Sequence, residues 1–113
     1  MKFTSSSDIL IQTDRFAEAT EYYGQTMGFP VIMTSETMVG FDTGSFCLYV
    51  EQGKPYGPVF EFCASDLEAA KAKLVAGGCV IEDVLEDEEG GGHYYVRDPF
   101  GLTFNVAATS ESE

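Results

Sequence analysis

Two stretches of about fifty residues carry the same succession of signals, and this duplication constrains the fold more than any single motif does. The first stretch opens with Ile9-Leu10-Ile11, a short apolar run of strand type. Asp14, a residue that caps helices through its side-chain oxygen, comes next. Phe16, Ala19, Tyr23 and Met27 then recur at steps of three and four, the spacing of one inward helical stripe. Gly24 interrupts that stripe and Gly28 ends it. Phe29 to Met33 reads as a strand, and Thr37–Phe41 with Phe46–Val50 reads as a hairpin around Asp42-Thr43-Gly44-Ser45.

The second stretch repeats the order. Val59–Cys63 alternates as a strand, and Ser65 or Asp66 caps a helix with stripe Leu67, Ala70, Leu74. Gly77-Gly78 stops it, and Cys79-Val80-Ile81 resumes as strand. After an acidic glycine loop, Tyr94–Val96 and Leu102–Val106 form a hairpin about Asp98-Pro99-Phe100-Gly101. The expected architecture is α+β, one domain over residues 1–113. Module one covers 8–51, a linker 52–58, module two 59–107 and a frayed tail 108–113. One βαβββ module cannot cover both faces of its sheet. Two in tandem are expected to form a curved, cup-shaped mixed sheet with the helices outside.

Charge removes several functions. With 6 Lys+Arg against 19 Asp+Glu the formal net charge is −13. Phosphate backbones and anionic membrane surfaces are both repelled by such a chain. No apolar run approaches the roughly 20 residues that span a bilayer. The start, Met1-Lys2-Phe3-Thr4-Ser5-Ser6-Ser7-Asp8, has no apolar core of a signal peptide, so a cytoplasmic location is expected. Cys47, Cys63 and Cys79 are odd in number and form no Cys-x-x-Cys pair, which favours buried free thiols over a disulfide frame or a zinc site.

Two segments carry a resemblance. Asp14-Arg15-Phe16-Ala17-Glu18-Ala19-Thr20-Glu21-Tyr22-Tyr23 with Met27-Gly28-Phe29 is similar to the first helix of the vicinal oxygen chelate superfamily. That superfamily includes glyoxalase I, extradiol dioxygenases, fosfomycin-resistance enzymes and bleomycin-resistance proteins. Val96-Arg97-Asp98-Pro99-Phe100-Gly101-Leu102 resembles its Asp-Pro-x-Gly turn. The resemblance implies where a divalent ion would be held. The first ligand position, seven residues before the helix-starting Asp, is Ser7. Its second-module counterpart is Val59, the position seven after the Asp of the turn is Asn105, and the fourth falls on or beside Tyr49. Ser, Val, Asn and Tyr lack the charged oxygens and imidazoles that such an ion needs. A slip of one residue is not expected to restore the site, because neighbouring strand residues face opposite ways. No metal and no other cofactor is expected.

Alternation then gives the lining of the cup. Ser7, Ile9 and Ile11 are expected to face it, with Val59, Glu61 and Cys63, with Tyr49 and Glu51, and with Thr103, Asn105 and Ala107. Phe60 and Phe62 are expected beneath the helices. Glu61 is the informative residue, since an ionised carboxylate on an apolar wall is costly unless paired. Either it bonds to Tyr49 or Asn105, or, with Glu51, it meets a positive group on a ligand. A general base at Glu61 would lack a partner acid. His93, the only histidine, sits at a loop edge. Glu82–Glu89 reads as a solvated acidic edge, or as a lip that draws in a cation. Gly90-Gly91-Gly92 lacks the Lys of a phosphate loop, and Ser7 lacks a base.

The reading these residues favour resembles the bleomycin-resistance proteins: a metal-independent homodimer that holds a cationic or aromatic small molecule. Its expected contacts are Ser7, Ile9, Tyr49, Glu51, Glu61, His93 and Asn105. The alternative is a divalent-metal-dependent lyase, isomerase or dioxygenase of glyoxalase type, with ligands relocated to Glu51, Glu61 and His93. A third is an accessory domain that acts through protein contacts.

Overall fold

In the computed structural model of the protein, which describes residues 2–85 and 93–109, the chain divides into two compact units. One is residues 7–59; the other joins the residues before Ser7 to those from Phe60 onward. The elements run β1 (Thr4–Thr13), α1 (Phe16–Glu21), β2 (Val31–Thr34), β3 (Met38–Asp42), β4 (Cys47–Gln52) and β5 (Tyr56–Ala64). They continue with α2 (Leu67–Ala76), β6 (Val80–Leu85), β7 (His93–Arg97) and β8 (Thr103–Ala108). The βαβββ succession is therefore present twice, and the fold is α+β. Strand order is β2-β3-β4-β1 in one unit and β5-β8-β7-β6 in the other. In each, the first strand pairs in parallel with the last, and the remaining pairs are antiparallel.

Each unit buries one face of its strands under its helix. In residues 7–59 the core is Phe41, Leu48 and Val50, with Ile9, Ile11, Phe16, Ala19 and Tyr23 packed on it. In the other, Ala64, Ala70, Tyr94, Val96, Phe104 and Val106 form the core, joined by Phe62, Leu67 and Leu74. The predicted stripe of α2 thus faces inward. Phe62 lies beneath the helix as expected, whereas Phe60, on the same face, is 37% exposed.

The two helices start differently. Asp66 caps α2, its Oδ1 accepting from the Ala69 amide at 3.1 Å. Asp14 does not cap α1. The N-cap is Arg15, whose side chain makes no capping bond and instead pairs with Glu18. The stripe that reads as one helix is also two pieces, because α1 passes into a π-helical turn at Tyr22–Thr26, closed by the Met27 amide on the Tyr22 carbonyl at 2.9 Å.

Two loops are shorter than the sequence implies. Residues 52–58 read as a linker, yet β4 runs through Gln52 and β5 begins at Tyr56. Gly57 makes this possible. Its φ is +106°, and a Cβ there would lie 2.9 Å from the Leu10 carbonyl oxygen, so this glycine at the start of the strand marks a close backbone approach rather than a break. The acidic run opens inside β6, where Glu82 accepts from Arg97 Nη2 at 2.7 Å and Nε at 2.9 Å. Residues 86–92, with Glu86–Glu89 and the triple glycine, lie outside the described residues, as does the tail from 110. Among the described residues the three cysteines form no disulfide, and no helix is long and apolar enough to cross a membrane.

Candidate functional site

In residues 7–59, β1 pairs with β4 so that Leu10 lies opposite Tyr49 and Gln12 opposite Glu51. Gln12 Nε2 donates to Glu51 Oε1 at 2.9 Å, fixing both side chains on one face. That face is turned away from α1. It carries Asp8, Leu10 and Gln12 from β1, Tyr49 and Glu51 from β4, and Met38 and Gly40 from β3. The Tyr49 ring packs against Gly40, where an added Cβ would lie 2.6 Å from its Cε1. A bare backbone at residue 40 is what gives the phenol its seat.

Ser7, Ile9 and Ile11 are not on this face, and the expected lining is corrected accordingly. Ile9 sits opposite Leu48 and Ile11 opposite Val50, and both isoleucines pack into the core under α1. The displacement starts at the helix. With Arg15 at the N-cap, a count of seven back from the true helix start lands on Asp8. The one-residue slip that alternation argued against has therefore taken place, and it exchanges a serine for a carboxylate. Hydrophobicity carried the missed signal: Ile9 and Ile11 are the more apolar alternate set in β1, and Asp8 and Gln12 the more polar one.

In the other unit the alternation holds. Glu61 lies opposite Asn105 across the parallel β5–β8 pair, and Asn105 opposite Tyr95 across the antiparallel β8–β7 pair. Directly opposed residues project to the same side. A carboxylate, an amide and a phenol therefore form one row on the face away from α2, roughly 10 Å across three strands. All three are half-buried. Tyr95 was not foreseen in the site; its register with Asn105 follows only once the hairpin turn is placed. That turn is built by Asp98, whose Oδ1 accepts from the amides of Phe100 and Leu102, each at 2.9 Å. His93 opens β7 opposite Ala107, and its side chain lies outside the described part of the structure.

The donor set can now be restated from the structure. The resemblance marks Ser7, Tyr49 and Val59 in residues 7–59, where Asp8 rather than Ser7 shares the face of Tyr49, and Asn105 in the other unit. Val59 is 2% exposed and has no donor atom. Among the described residues no three of His, Cys, Asp and Glu come together as a metal centre requires. These residues do not fit a divalent ion, which asks for several charged oxygen or imidazole donors.

Comparison with known proteins bears on this geometry. The model of the Glyoxalase/Bleomycin resistance protein/Dioxygenase superfamily matches residues 6–106. A superfamily member from Vibrio splendidus 12B01 superposes with a TM-score of 0.68 at 14% identity, over 94% of this chain and 100% of that one. The hypothetical protein BH1468 from Bacillus halodurans C-125 gives 0.66 at 8% identity, over 100% and 99%. The Mn(II)-bound glyoxalase from Novosphingobium aromaticivorans also gives 0.66, at 18% identity over 95% of this chain, which spans only 39% of that longer protein. No curated protein matches the sequence. At these identities the structural likeness speaks for the fold, and the family match covers most of the chain. The chain belongs to the Glyoxalase/Bleomycin resistance protein/Dioxygenase superfamily.

Proposed function

We propose that the protein is a metal-independent binder of a small molecule with cationic or aromatic character, in the manner of the superfamily's bleomycin-resistance branch. One observation carries the reading: Glu61 stands in a row with Asn105 and Tyr95. A half-buried carboxylate beside an amide, with a phenol next in the row, suits a positive, hydrogen-bonding group joined to a ring, which the phenol can stack. The charge of −13 draws cations toward the surface. We further read the protein as a cytoplasmic homodimer with no nucleic-acid or membrane partner.

Calorimetry with metal-free bleomycin as the cationic probe tests the reading. Wild-type protein is expected to bind it, and Glu61→Gln to weaken binding about tenfold or more, the scale of a hydrogen bond to a charged group. Equal affinity in both proteins would remove Glu61 from the site.

One observation favours a second reading, a metal-dependent lyase, isomerase or dioxygenase with relocated ligands. Asp8 is a carboxylate where counting along the sequence had placed a serine, and the likeness to a Mn(II)-bound glyoxalase keeps that chemistry in view. Elemental analysis of purified protein separates the two. One tightly held divalent ion per chain, released in Asp8→Ala, selects the enzyme.

A further inference from the structure

The face covered by α2 carries a feature that neither reading uses. A cavity of about 480 Å3 opens there, bounded by the last turn of α2, the first residues of β1, the β7–β8 turn and the strands themselves. Its lining lies wholly in the unit that joins the residues before Ser7 to those from Phe60 onward. Phe62 and Phe104, ring centroids 4.9 Å apart and tilted by 58°, belong to that wall, with Leu74 and Leu102. Phe100, in the Asp-Pro-Phe-Gly turn, also lines it yet is 91% exposed. An aromatic ring is thus held at an apolar cavity while nearly all of its surface remains in water.

The size is informative. An apolar cavity near 150 Å3 accommodates benzene, and small-molecule sites run from about 300 to 1,000 Å3. Two or three rings fit in the space found here.

Charge decides which ring systems. The charged residues in the lining are Lys73 and Asp98, one of each sign. Asp98 is already committed through Oδ1 to two backbone amides. Burial, and secondarily the Asp98 carboxylate, push the Cys79 thiol up, so this sulfur stays protonated at neutral pH. An anion entering would meet Asp98, the carbonyl end of α2 and a strongly acidic chain. A cation is drawn by the acidic chain, but inside it would lose its hydration against an apolar wall whose one carboxylate, Asp98, is already bonded to backbone amides, and it would meet the Lys73 ammonium. An uncharged ring system meets neither penalty, and it removes the Phe100 ring from water.

We propose that this cavity is a binding site for an uncharged molecule of two or three rings, distinct from the Glu61–Asn105–Tyr95 row on the opposite face of the same strands. The site takes its guest by apolar area and by exclusion of either charge.

The full chain titrated with N-phenyl-1-naphthylamine, an uncharged fluorescent probe, tests this directly. A single site with blue-shifted emission and micromolar affinity is expected. Phe100→Ser and Thr4→Trp alter exposed positions that the core does not use. The first is expected to weaken the probe about fivefold or more by removing the ring at the mouth, and the second, by filling the space, about tenfold or more. The anionic analogue 1-anilinonaphthalene-8-sulfonate should bind about tenfold more weakly than the neutral probe. Alkylation of Cys79 by iodoacetamide, followed by peptide mass mapping, should slow when the probe is present. Excess metal-free bleomycin should leave the probe in place, so the two faces succeed or fail separately. No probe signal, a signal undiminished in both variants, a sulfonate bound as tightly, an unprotected Cys79, or displacement by bleomycin would each overturn the proposal.

Discussion

Tyr94 and Cys79 both hold protons that folding makes harder to remove. Tyr94 is 3% exposed, and its hydroxyl donates to the Leu67 carbonyl at 2.9 Å. Burial raises its pKa first, and the Glu68 and Asp66 carboxylates add to the shift. For Cys79 burial leads and Asp98 follows. The unfolded groups ionise near their ordinary values, 9.0 for the thiol and 10.0 for the phenol, whereas the folded ones ionise higher. Between those values the folded state binds more protons than the unfolded state, so stability falls as pH rises. Urea midpoints are expected to stay level from neutral pH to about 8.5 and to drop steadily beyond the thiol's ordinary value. Tyr94→Phe should flatten the part of the decline above the phenol's ordinary value, while lowering neutral-pH stability by about 1 kcal/mol through the lost hydrogen bond. A midpoint unchanged up to pH 11 would mean that neither proton is held by the fold.

The two helices show what a residue type can and cannot reveal about an element. Asp66 caps α2 through its Oδ1 on the Ala69 amide; Asp14, in the matching place of the repeat, does not cap α1. Asp66→Ala is expected to cost about 1 kcal/mol in chemical denaturation, whereas Asp14→Ala stays within about 0.5 kcal/mol, the range of an ordinary surface change. The same contrast explains how far the sequence could be read. Module order, the inward stripe of α2, the two hairpins and the Glu61–Asn105 face all follow from apolar periods of two and 3.6, and these are present in the structure. The face of β1 failed because it was counted from Asp14 as a cap, while the chain enters α1 one residue later. A single residue of offset inverts every side chain on a strand. Gly53 to Pro58 read as a break because glycine and proline usually mark one; the need for a small residue at Gly57, set by Leu10 some distance away in sequence, is not a local signal.

At the scale of the whole molecule, the outer strands are treated unequally. β6 carries Glu82, a charge that discourages further strand pairing. β2 carries none: Val31, Ile32 and Met33 are all exposed, Val31 at 53%. The proposed homodimer finds its support in this bare apolar edge. Sedimentation at micromolar concentration is expected to return twice the 12.3 kDa chain mass, and Ile32→Lys to shift the population toward the single chain. A wild-type protein that sediments as one chain would end the dimer reading.

The parallel pairs have a consequence in time. Hairpins such as β3–β4 and β7–β8 close over short loops, but Asp8 reaches Cys47, and Glu61 reaches Asn105, only across about forty residues of intervening chain, and such closures come late because their entropy must be met before contacts reward it. The carboxylate and amide that would greet a guest are therefore among the last neighbours to meet during folding, and a weakened variant is expected to lose them while its hairpins still persist.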